Sequence, residues 1–385
     1  MNELTLHYQG SVKNLYSAPN TNDLFFEFTD DYSIFDWGKM PDAIPGKGQA
    51  LLSMAENFFK LWSSPSTWKE FRQSYGVSDL SVLEIKILQD FCYKGVPSHF
   101  LRKVQREDRS LLQVKKMKMT FPMLRHEGEH KLWIYPDRSE TWVDEFIPLE
   151  VIFRLGAPKG SSLLKRTWSM EQWSKWGLSN APVEGERFHD VVVEFSTKLE
   201  DSDRILSDVI AQEISSLSSE DLQLLKATTS LLARQLEYFF ASLGIELWDG
   251  KFEFGATKKP GENIKFVLVD ALGPDELRLT YQGAPLSKEF LRQIYSPTAW
   301  AQAVIEAKKM IPYGPWQDLV SKSWDLCPAH LPTSTVELVS MLYGTLSDLI
   351  AQQVQYPEHD FSSQAQIKLA AIKELMDLAL AKARQ

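Results

Sequence analysis

Cysteine is scarce in this sequence, and patterns that would bind a structural metal are missing. The 385 residues include two cysteines, Cys92 and Cys327, with no CxxC pair, and the seven histidines form no cluster at the spacing of metal ligands. A disulfide framework or a structural zinc site needs such patterns. We therefore expect neither, and we expect both thiols to be reduced.

Excess positive charge and long apolar runs are also missing. The formal net charge is −9, whereas nucleic acids and anionic membranes bind basic surfaces that displace their counterions. No run of about 18 uncharged apolar residues occurs, and the first residues lack a basic segment followed by an apolar one. We expect no nucleic-acid partner, no membrane partner and a cytoplasmic location. A local basic pocket for a phosphorylated small molecule is compatible with this charge.

The sequence does contain enough apolar material for one large core or two ordinary ones. Hydrophobic residues make up 44% of the chain and charged residues 24%, as is typical of folded proteins. Residues 4–8, 15–17 and 24–28 predict strands of an antiparallel N-terminal sheet. Residues 49–62 predict a helix with a broad apolar face, which would cover that sheet.

The remainder of the chain predicts a second group of strands and then helices. A second lobe would begin near Ile147. Residues 248–269 predict a β-hairpin with its turn at residues 257–263. Residues 336–354 and 364–383 predict amphipathic helices, which would complete the core or pack against a second copy as a homo-oligomer.

The segment 249–255 (DGKFEFG) carries the first candidate site. Alternate side chains of a strand share one face, so Asp249, Lys251 and Glu253 would point together while the two phenylalanines enter the core. Three ionisable groups would then converge on one face.

The predicted hairpin would bring another carboxylate to that face. With a turn near Pro260 and Gly261, Glu253 falls roughly opposite Asp270. Magnesium takes one or two protein carboxylates and completes its shell with water and phosphates, so Glu253 and Asp270 are candidate metal ligands. The alternative is an ordinary solvated strand face of mixed charge.

Two loops are candidates for binding an anion. In the segment 154–162 a strand ends in a loop that contains Ser161 and Ser162, whose hydroxyl and backbone N–H groups would turn toward phosphate, and Arg154 supplies a rigid guanidinium group. Between the first two predicted strands, Gly10 allows a flexible hairpin from which Lys13 would reach phosphates. The alternatives are an exposed surface turn in the first case and a plain hairpin turn in the second.

The order of these motifs resembles the SAICAR synthase (phosphoribosylaminoimidazole-succinocarboxamide synthase) family over about residues 6–300. Eight matches in order argue against chance. The matching segments are 8–16 (YQGSVKNLY), 28–36 (FTDDYSIFD), 44–48 (IPGKG), 95–100 (GVPSHF), 147–154 (IPLEVIFR), 194–203 (EFSTKLEDSD), 249–255 (DGKFEFG) and 269–278 (VDALGPDELR).

The resemblance implies an α+β fold with two main lobes, related to the ATP-grasp and kinase-like nucleotide folds, and with the nucleotide between the lobes. We expect antiparallel sheets and a helical C-terminal extension. The expected division is an N-terminal nucleotide-binding lobe over residues 1–146, a catalytic and substrate lobe over 147–300, and the helical extension over 301–385.

The resemblance also implies site residues. For ATP they are Lys13, Lys198, Ser11 in the opening hairpin, and Glu150 near the adenine; for Mg²⁺ they are Glu253 and Asp270. The phosphate of the ribonucleotide would be bound by Arg154, Ser161 or Ser162, and Arg278. Asp249 and Lys251 would lie near its sugar or carboxylate, and the aspartate region would be lined by Ser33, Asp36, Lys47 and Asp275. The catalytic candidates among these are Lys251, Asp249, Asp275 and Lys47.

The implied reaction is the ATP-dependent ligation of L-aspartate to carboxyaminoimidazole ribonucleotide (CAIR) through an acyl phosphate, which yields SAICAR, ADP and phosphate in purine biosynthesis. Two positions depart from the family pattern: Ser11 stands where a lysine is usual, and Ala271 stands where an acidic residue is usual. A missing carboxylate beside the metal would alter metal affinity, metal number or substrate. The alternatives are therefore a ligase or kinase of the same fold acting on another carboxylate, and a noncatalytic homologue.

Overall fold

A computed structural model describes residues 4–106, 109–127, 130–137, 142–311 and 314–384. Antiparallel sheets and surrounding helices alternate along the chain. The strands are β1 (Thr5–Gln9), β2 (Lys13–Ser17), β3 (Asp23–Phe28), β4 (Phe100–Arg106), β5 (Arg109–Lys115), β6 (Met123–Glu127), β7 (His130–Ile134), β8 (Trp142–Ala157), β9 (Glu186–Thr197), β10 (Ile205–Leu206), β11 (Glu246–Lys258), β12 (Lys265–Val269), β13 (Leu277–Tyr281) and β14 (Ala284–Pro285).

Among the described residues, three helices lie between β3 and β4, three lie between β8 and β11, and the others follow β14. The helices are α1 (Lys47–Ser63), α2 (Pro65–Tyr75), α3 (Val82–Lys94), α4 (Met170–Ser174), α5 (Asp208–Ser215), α6 (Ser219–Ser242), α7 (Lys288–Tyr295), α8 (Ala299–Met310), α9 (Trp316–Asp318), α10 (Thr333–Gln355) and α11 (Ser362–Ala383), with a 3-10 turn at Ser162–Lys165 and a π-helical turn at Leu319–Ser323.

The N-terminal sheet has the strand order β1-β2-β3-β5-β4, and each neighbouring pair is antiparallel. This confirms the predicted antiparallel N-terminal sheet. Helix α1 packs on it, two residues longer at its start than the predicted 49–62. The Asp30 carboxylate accepts hydrogen bonds from the backbone N–H groups of Gly46 and Gly48, and so satisfies donors that a helix N-terminus leaves free. Lys47 is thereby fixed at the first position of α1.

The second sheet has the order β10-β9-β8-β11-β13-β14, and β12 also pairs with β11. In β8 the side chains alternate as a half-buried strand requires: Val151 and Phe153 enter the hydrophobic core, while Glu150 and Arg154 lie on the opposite face. The predicted hairpin of residues 248–269 is confirmed as β11 and β12. Helix α6 covers the apolar face of this sheet.

The C-terminal helices pack on the rest of the molecule. The predicted helices at 336–354 and 364–383 are confirmed as α10 and α11, and α10 lies along α1. The main hydrophobic core is continuous, since it contains Phe58 of α1, Phe153 of β8, Leu232 of α6 and Leu346 of α10. The expected division between residues 146 and 147 falls inside β8, and the three-part division stays a prediction.

Across the residues described above, we find no helix that combines the length and the apolar character needed to cross a membrane.

Candidate active site

Lysines and carboxylates alternate on the polar face of the second sheet. Glu150 of β8 accepts hydrogen bonds from Lys251 of β11 and from Lys198, which follows β9 and lies 3.1 Å from the Glu150 Oε1 atom. Lys198 also lies 2.6 Å from Oε1 of Glu253. The register of β8 and β11 explains these contacts. Glu253 pairs with Glu150 and Lys251 pairs with Ile152, so the side chains of Glu150, Lys251 and Glu253 share one face of the sheet. The predicted convergence of Lys251 and Glu253 is confirmed.

Asp270 joins this group from the end of β12. The predicted register is wrong by one residue: Glu253 faces Val269, and Asp270 follows it where the chain leaves the sheet with a φ of 63°. The Asp270 carboxylate accepts a hydrogen bond from Lys13 of β2, so the opening hairpin reaches the second sheet. The buried His99 ring lies on the other side of Asp270, where its Nε2 atom is 2.8 Å from the Asp270 carbonyl oxygen.

The electrostatics of Glu253 and Asp270 fit a divalent cation. Burial and the charge of Asp270 both raise the pKa of Glu253, so two carboxylates repel each other in one place. Burial would also raise the pKa of Asp270, but Lys13 and Lys198 outweigh it and lower that pKa. The described residues include no group of three or more potential metal-binding side chains. Two carboxylates match what Mg²⁺ takes from a protein when phosphates and water supply its other ligands.

An arginine network lies farther along the same sheet face. Arg154 Nε is 2.6 Å from a Glu194 carboxylate oxygen, and Arg166 binds the other oxygen at 2.5 Å. Arg278 of β13 reaches Asp249, with 3.3 Å between Nη1 and Oδ2. That pair is misaligned for a hydrogen bond, so both atoms are buried without a hydrogen-bond partner. Arg278 therefore has a buried N–H group that is ion-paired with Asp249 but makes no hydrogen bond to the described residues.

Lys47 and Asp275 form a separate, deeper pair. The Lys47 side chain is fully buried, and its Nζ atom lies 2.9 Å from Asp275 Oδ2 and 3.3 Å from the carbonyl oxygen of Asp31. Tyr343 of α10 donates its hydroxyl to the other Asp275 oxygen. Burial would raise the pKa of Asp275, but Lys47, Lys288 and the Tyr343 hydrogen bond hold it at about 2. Because the Lys47 side chain has no exposed surface, its ammonium group binds Asp275 and does not face solvent.

Other predicted residues lie apart from these clusters. The buried Ser161 hydroxyl accepts the Leu163 N–H group and so caps the 3-10 turn, whereas Ser162 is exposed. Within the described chain, no hydrogen bond joins either serine to Arg154. Asp36 has an 86% exposed side chain and pairs with Lys308 of α8 at 2.6 Å. Ser33 and Ser11 are half-buried, and their side chains form no hydrogen bond with the described residues. The roles assigned to these residues stay predictions.

Sequence reasoning missed several charged or polar residues at these clusters. Glu194 lies on the strand face that carries Ser196, so a correct pairing of β8 with β9 would have found it. Lys288 begins α7 and influences Asp275 electrostatically. Glu276 has a pKa raised to about 7 by burial and by Asp275 and Asp270. His99 lies in the matching segment 95–100, but the sequence assigned it no role. No local sequence pattern distinguished Arg166 or Tyr343 as site residues.

Two small cavities adjoin the lysine and carboxylate groups. One, of about 10 Å³, is lined by residues that include Lys251, Glu253, Asp270 and Glu276. The other, of about 30 Å³, is lined by residues that include Lys13, Asp275 and Glu276. Neither cavity is large enough to enclose a nucleotide.

Comparisons with known proteins agree with this architecture. The family model for SAICAR synthetase matches residues 6–307. A putative phosphoribosylaminoimidazole-succinocarboxamide synthase from Archaeoglobus fulgidus is 31% identical over 331 residues, which is 83% of this chain and 85% of that one. The phosphoribosylaminoimidazole-succinocarboxamide synthase of Thermoplasma acidophilum is 25% identical over 90% of this chain and 98% of that one.

Solved structures share the fold. The SAICAR synthase of Saccharomyces cerevisiae in complex with SAICAR superposes with a TM-score of 0.53 at 19% identity, covering 90% of this chain and 95% of that chain. A second SAICAR synthase structure gives a TM-score of 0.51 at 18% identity, covering 91% and 94%. The expected α+β SAICAR synthase-like fold is confirmed. The chain belongs to the SAICAR synthetase family, and it is a ligase of purine biosynthesis.

Proposed function

We propose that the chain joins L-aspartate to CAIR through an acyl phosphate, with conversion of ATP to ADP and phosphate. The observation that carries this proposal is the meeting of three lysines with three carboxylates between the opening hairpin and the second sheet. The pairs are Lys13 with Asp270, Lys198 with Glu253 and Glu150, and Lys251 with Glu150.

The paired charges are suited to an exchange of partners when a magnesium nucleotide binds. Lys13 and Lys198 would turn to the phosphates, and Glu253 and Asp270 would hold the metal. A bound Mg²⁺ would neutralise charge on the transferred phosphoryl group. Each lysine would exchange a carboxylate for a phosphate, and each carboxylate would exchange a lysine for Mg²⁺. Every buried charge would therefore keep a partner of opposite sign. The adenine would lie near Glu150, as the family resemblance implies.

Activation of the CAIR carboxylate needs positioning and charge neutralisation, not a protein nucleophile. A carboxylate is a poor electrophile until its oxygen is phosphorylated, and phosphoryl transfer depends mainly on held geometry and stabilised charge. The L-aspartate amino group then attacks the acyl phosphate and expels phosphate. Lys251 and Asp249 lie on the same face of β11. The β1–β2 hairpin would exclude water, since an acyl phosphate otherwise hydrolyses.

The arginine network would bind the phosphate of the ribonucleotide. Arg278 has a buried N–H group without a hydrogen-bond partner, and Arg154 lies across Asp249 from it, with Nη1 3.7 Å from Asp249 Oδ2. A phosphate would satisfy both guanidinium groups with charge-assisted hydrogen bonds. Ser161 or Ser162 would add a donor from the following loop. Asp275, Ser33 and Asp36 would line the L-aspartate region, and Lys47 would act there through Asp275.

A second candidate function is a same-fold ligase acting on another carboxylate. Ala271 favours it, because this half-buried residue adjoins Asp270 in the cavity that also contains Glu253, where the family pattern has an acidic side chain. The assay that separates the candidates measures ADP release with and without each substrate. The proposed reaction requires CAIR, L-aspartate and Mg-ATP together, and chelation of the metal should abolish it. ADP release that is equally fast with and without CAIR would favour the second candidate.

Substitution of the metal-binding carboxylates provides the first prediction. Glu253→Ala and Asp270→Asn should each lower kcat about 10²- to 10³-fold, because each weakens binding of the Mg²⁺ that would neutralise charge on the transferred phosphoryl group. Glu262→Ala is the matched control, since Glu262 is exposed at the turn of the same hairpin and pairs with Lys265. A double variant at Glu253 and Asp270 that retained wild-type activity would exclude the proposed metal site.

A further inference from the structure

Helix α10 of the C-terminal extension contacts the Lys47–Asp275 pair directly. The Tyr343 hydroxyl donates to Asp275 Oδ1, while Lys47 holds Asp275 Oδ2. The Lys47 Nζ atom also lies 5.3 Å from the centre of the Tyr343 ring, within range of a cation–π contact. One carboxylate is therefore held at both oxygens, once from α1 and once from α10.

The same extension also holds the chain that leads into Lys47. Ser340 of α10 donates to the Pro45 carbonyl oxygen at 2.5 Å. The Leu331 N–H group binds Asp42 at 2.8 Å. These contacts fix the segment between β3 and α1, which also carries Ser33 and Asp36. The extension thus meets the proposed aspartate region through separate residues.

We propose that α10 is part of the ligase site and that Tyr343 is a positioning residue, which orients the Asp275 carboxylate toward the L-aspartate substrate. This inference rests on the proposed function. Asp275 lines the small cavity that it shares with Lys13, Ala271 and Glu276. Tyr343 binds Oδ1 of Asp275 and Lys47 binds Oδ2. Each oxygen therefore keeps a lone pair that can accept a hydrogen bond from a ligand in the cavity.

The charges around Asp275 define what it can do. Lys47 of α1, Lys288 of α7 and Tyr343 of α10 face the carboxylate, with Glu276 beside it in the same loop. Burial and the nearby carboxylates raise the pKa of Tyr343 well above its usual value, so its hydroxyl remains a donor at neutral pH. An ionised Asp275 with a very low pKa is a poor base, but it can bind the ammonium group of L-aspartate. This ammonium group loses one proton to water before the neutral amine attacks the acyl carbon, and the second proton leaves with the expelled phosphate. The role is therefore to bind and orient the amine.

The test is Tyr343→Phe in the full-length chain, because this change removes the hydroxyl and keeps the ring. We expect the KM for L-aspartate to rise about tenfold, the effect of one hydrogen bond to a charged group, while kcat and the KM for ATP stay within about twofold. Tyr281→Phe is the matched control: Tyr281 is also buried, and its hydroxyl donates to a carbonyl oxygen of α11 at 3.3 Å. Tyr281 connects β13 to α11 without contacting Asp275. The KM of Tyr281→Phe for L-aspartate should therefore equal that of the wild type.

A double-mutant cycle separates positioning from packing. In an Asp275→Asn background, Tyr343→Phe should have no further effect on the KM for L-aspartate, because the two residues act as one unit. Thermal melting checks that each variant is folded. Equal KM values for wild type, Tyr343→Phe and Tyr281→Phe would overturn the inference and leave the proposed function intact. Additive effects in the cycle would also overturn it. A wild type that makes no product from CAIR and L-aspartate would overturn the proposed function itself.

Discussion

At the scale of single residues, His99 shows how the fold selects one protonation state. Its ring is buried between Phe26 and Phe59, and its Nε2 atom faces a carbonyl oxygen, which can only accept a hydrogen bond. The neutral ring with a proton on Nε2 satisfies this partner. Burial lowers the pKa of His99 to about 4, although the Asp270 carbonyl and carboxylate favour the charged form. His99 therefore helps to fix the backbone of Asp270 without adding charge.

Stability should depend on pH through His99. Its usual pKa of about 6.5 applies to the unfolded chain, so between pH 6.5 and 4 the unfolded state binds a proton that the folded state does not. The free energy of unfolding should fall by about 2 kcal/mol from this group between pH 7 and pH 5. His99→Gln keeps an N–H donor and cannot titrate, so this part of the pH slope should disappear. Urea unfolding at both pH values measures it.

The control for this prediction is exposed His189 of β9. His189→Gln makes the same substitution at a side chain that is 88% exposed, so it separates the effect of burying the ring from the effect of the substitution itself. If His99→Gln left the slope of the wild type unaltered, then His99 would not be held neutral by the fold.

At the scale of secondary-structure elements, the opening hairpin joins β1 and β2 through a turn with little space. A Cβ atom at Gly10 would lie 2.6 Å from the Lys13 carbonyl oxygen, closer than non-bonded atoms approach. The Gly10 N–H group binds that same oxygen at 2.9 Å. The turn therefore needs glycine so that Lys13 begins β2 at the position from which it reaches Asp270.

Gly10→Ala should weaken ATP binding more than it weakens the fold. The added methyl group would push the Lys13 backbone away and displace the lysine that we propose binds phosphate. We therefore expect the KM for ATP to rise about tenfold, a loss of about 1.4 kcal/mol. The melting temperature should change by only a few degrees, because β1 is an exposed edge strand. Gly344→Ala in α10 is the control, since a Cβ atom added at Gly344 would meet nothing within 4 Å. An unchanged KM in Gly10→Ala would remove the hairpin from the nucleotide site.

Elements with a local signal were predictable, and contacts between distant elements were not. The face shared by Lys251 and Glu253 followed from the two-residue period of a strand. The one-residue error at Asp270 arose because alternation does not specify where a strand ends. Tyr343 is 68 residues from Asp275, and a tyrosine in an amphipathic helix looks like any core residue. Its role depends on how α10 packs along α1, which no local pattern encodes.

At the scale of the whole molecule, the extension shares one core with both sheets. Leu346 of α10 and Phe58 of α1 are fully buried in the same cluster that contains residues of β8 and α6. Trp62 of α1 donates to Gln235 of α6 at 2.5 Å, which joins the helices that cover the two sheets. The main apolar core includes residues of all three segments, and the two other buried apolar clusters among the described residues are small. The lobes and the extension should therefore unfold together.

Leu346→Ala tests this cooperativity. The loss of a fully buried leucine should reduce the free energy of unfolding by about 2–5 kcal/mol, and calorimetry should show the single transition moving as a whole to lower temperature. Leu378→Ala, at an exposed position of α11, should leave the transition nearly unchanged. If α10 and α11 instead formed an independent unit, Leu346→Ala would produce an early separate transition while the remainder melted as in wild type. In that case the KM for L-aspartate would change at temperatures at which α10 had unfolded and both sheets were still folded.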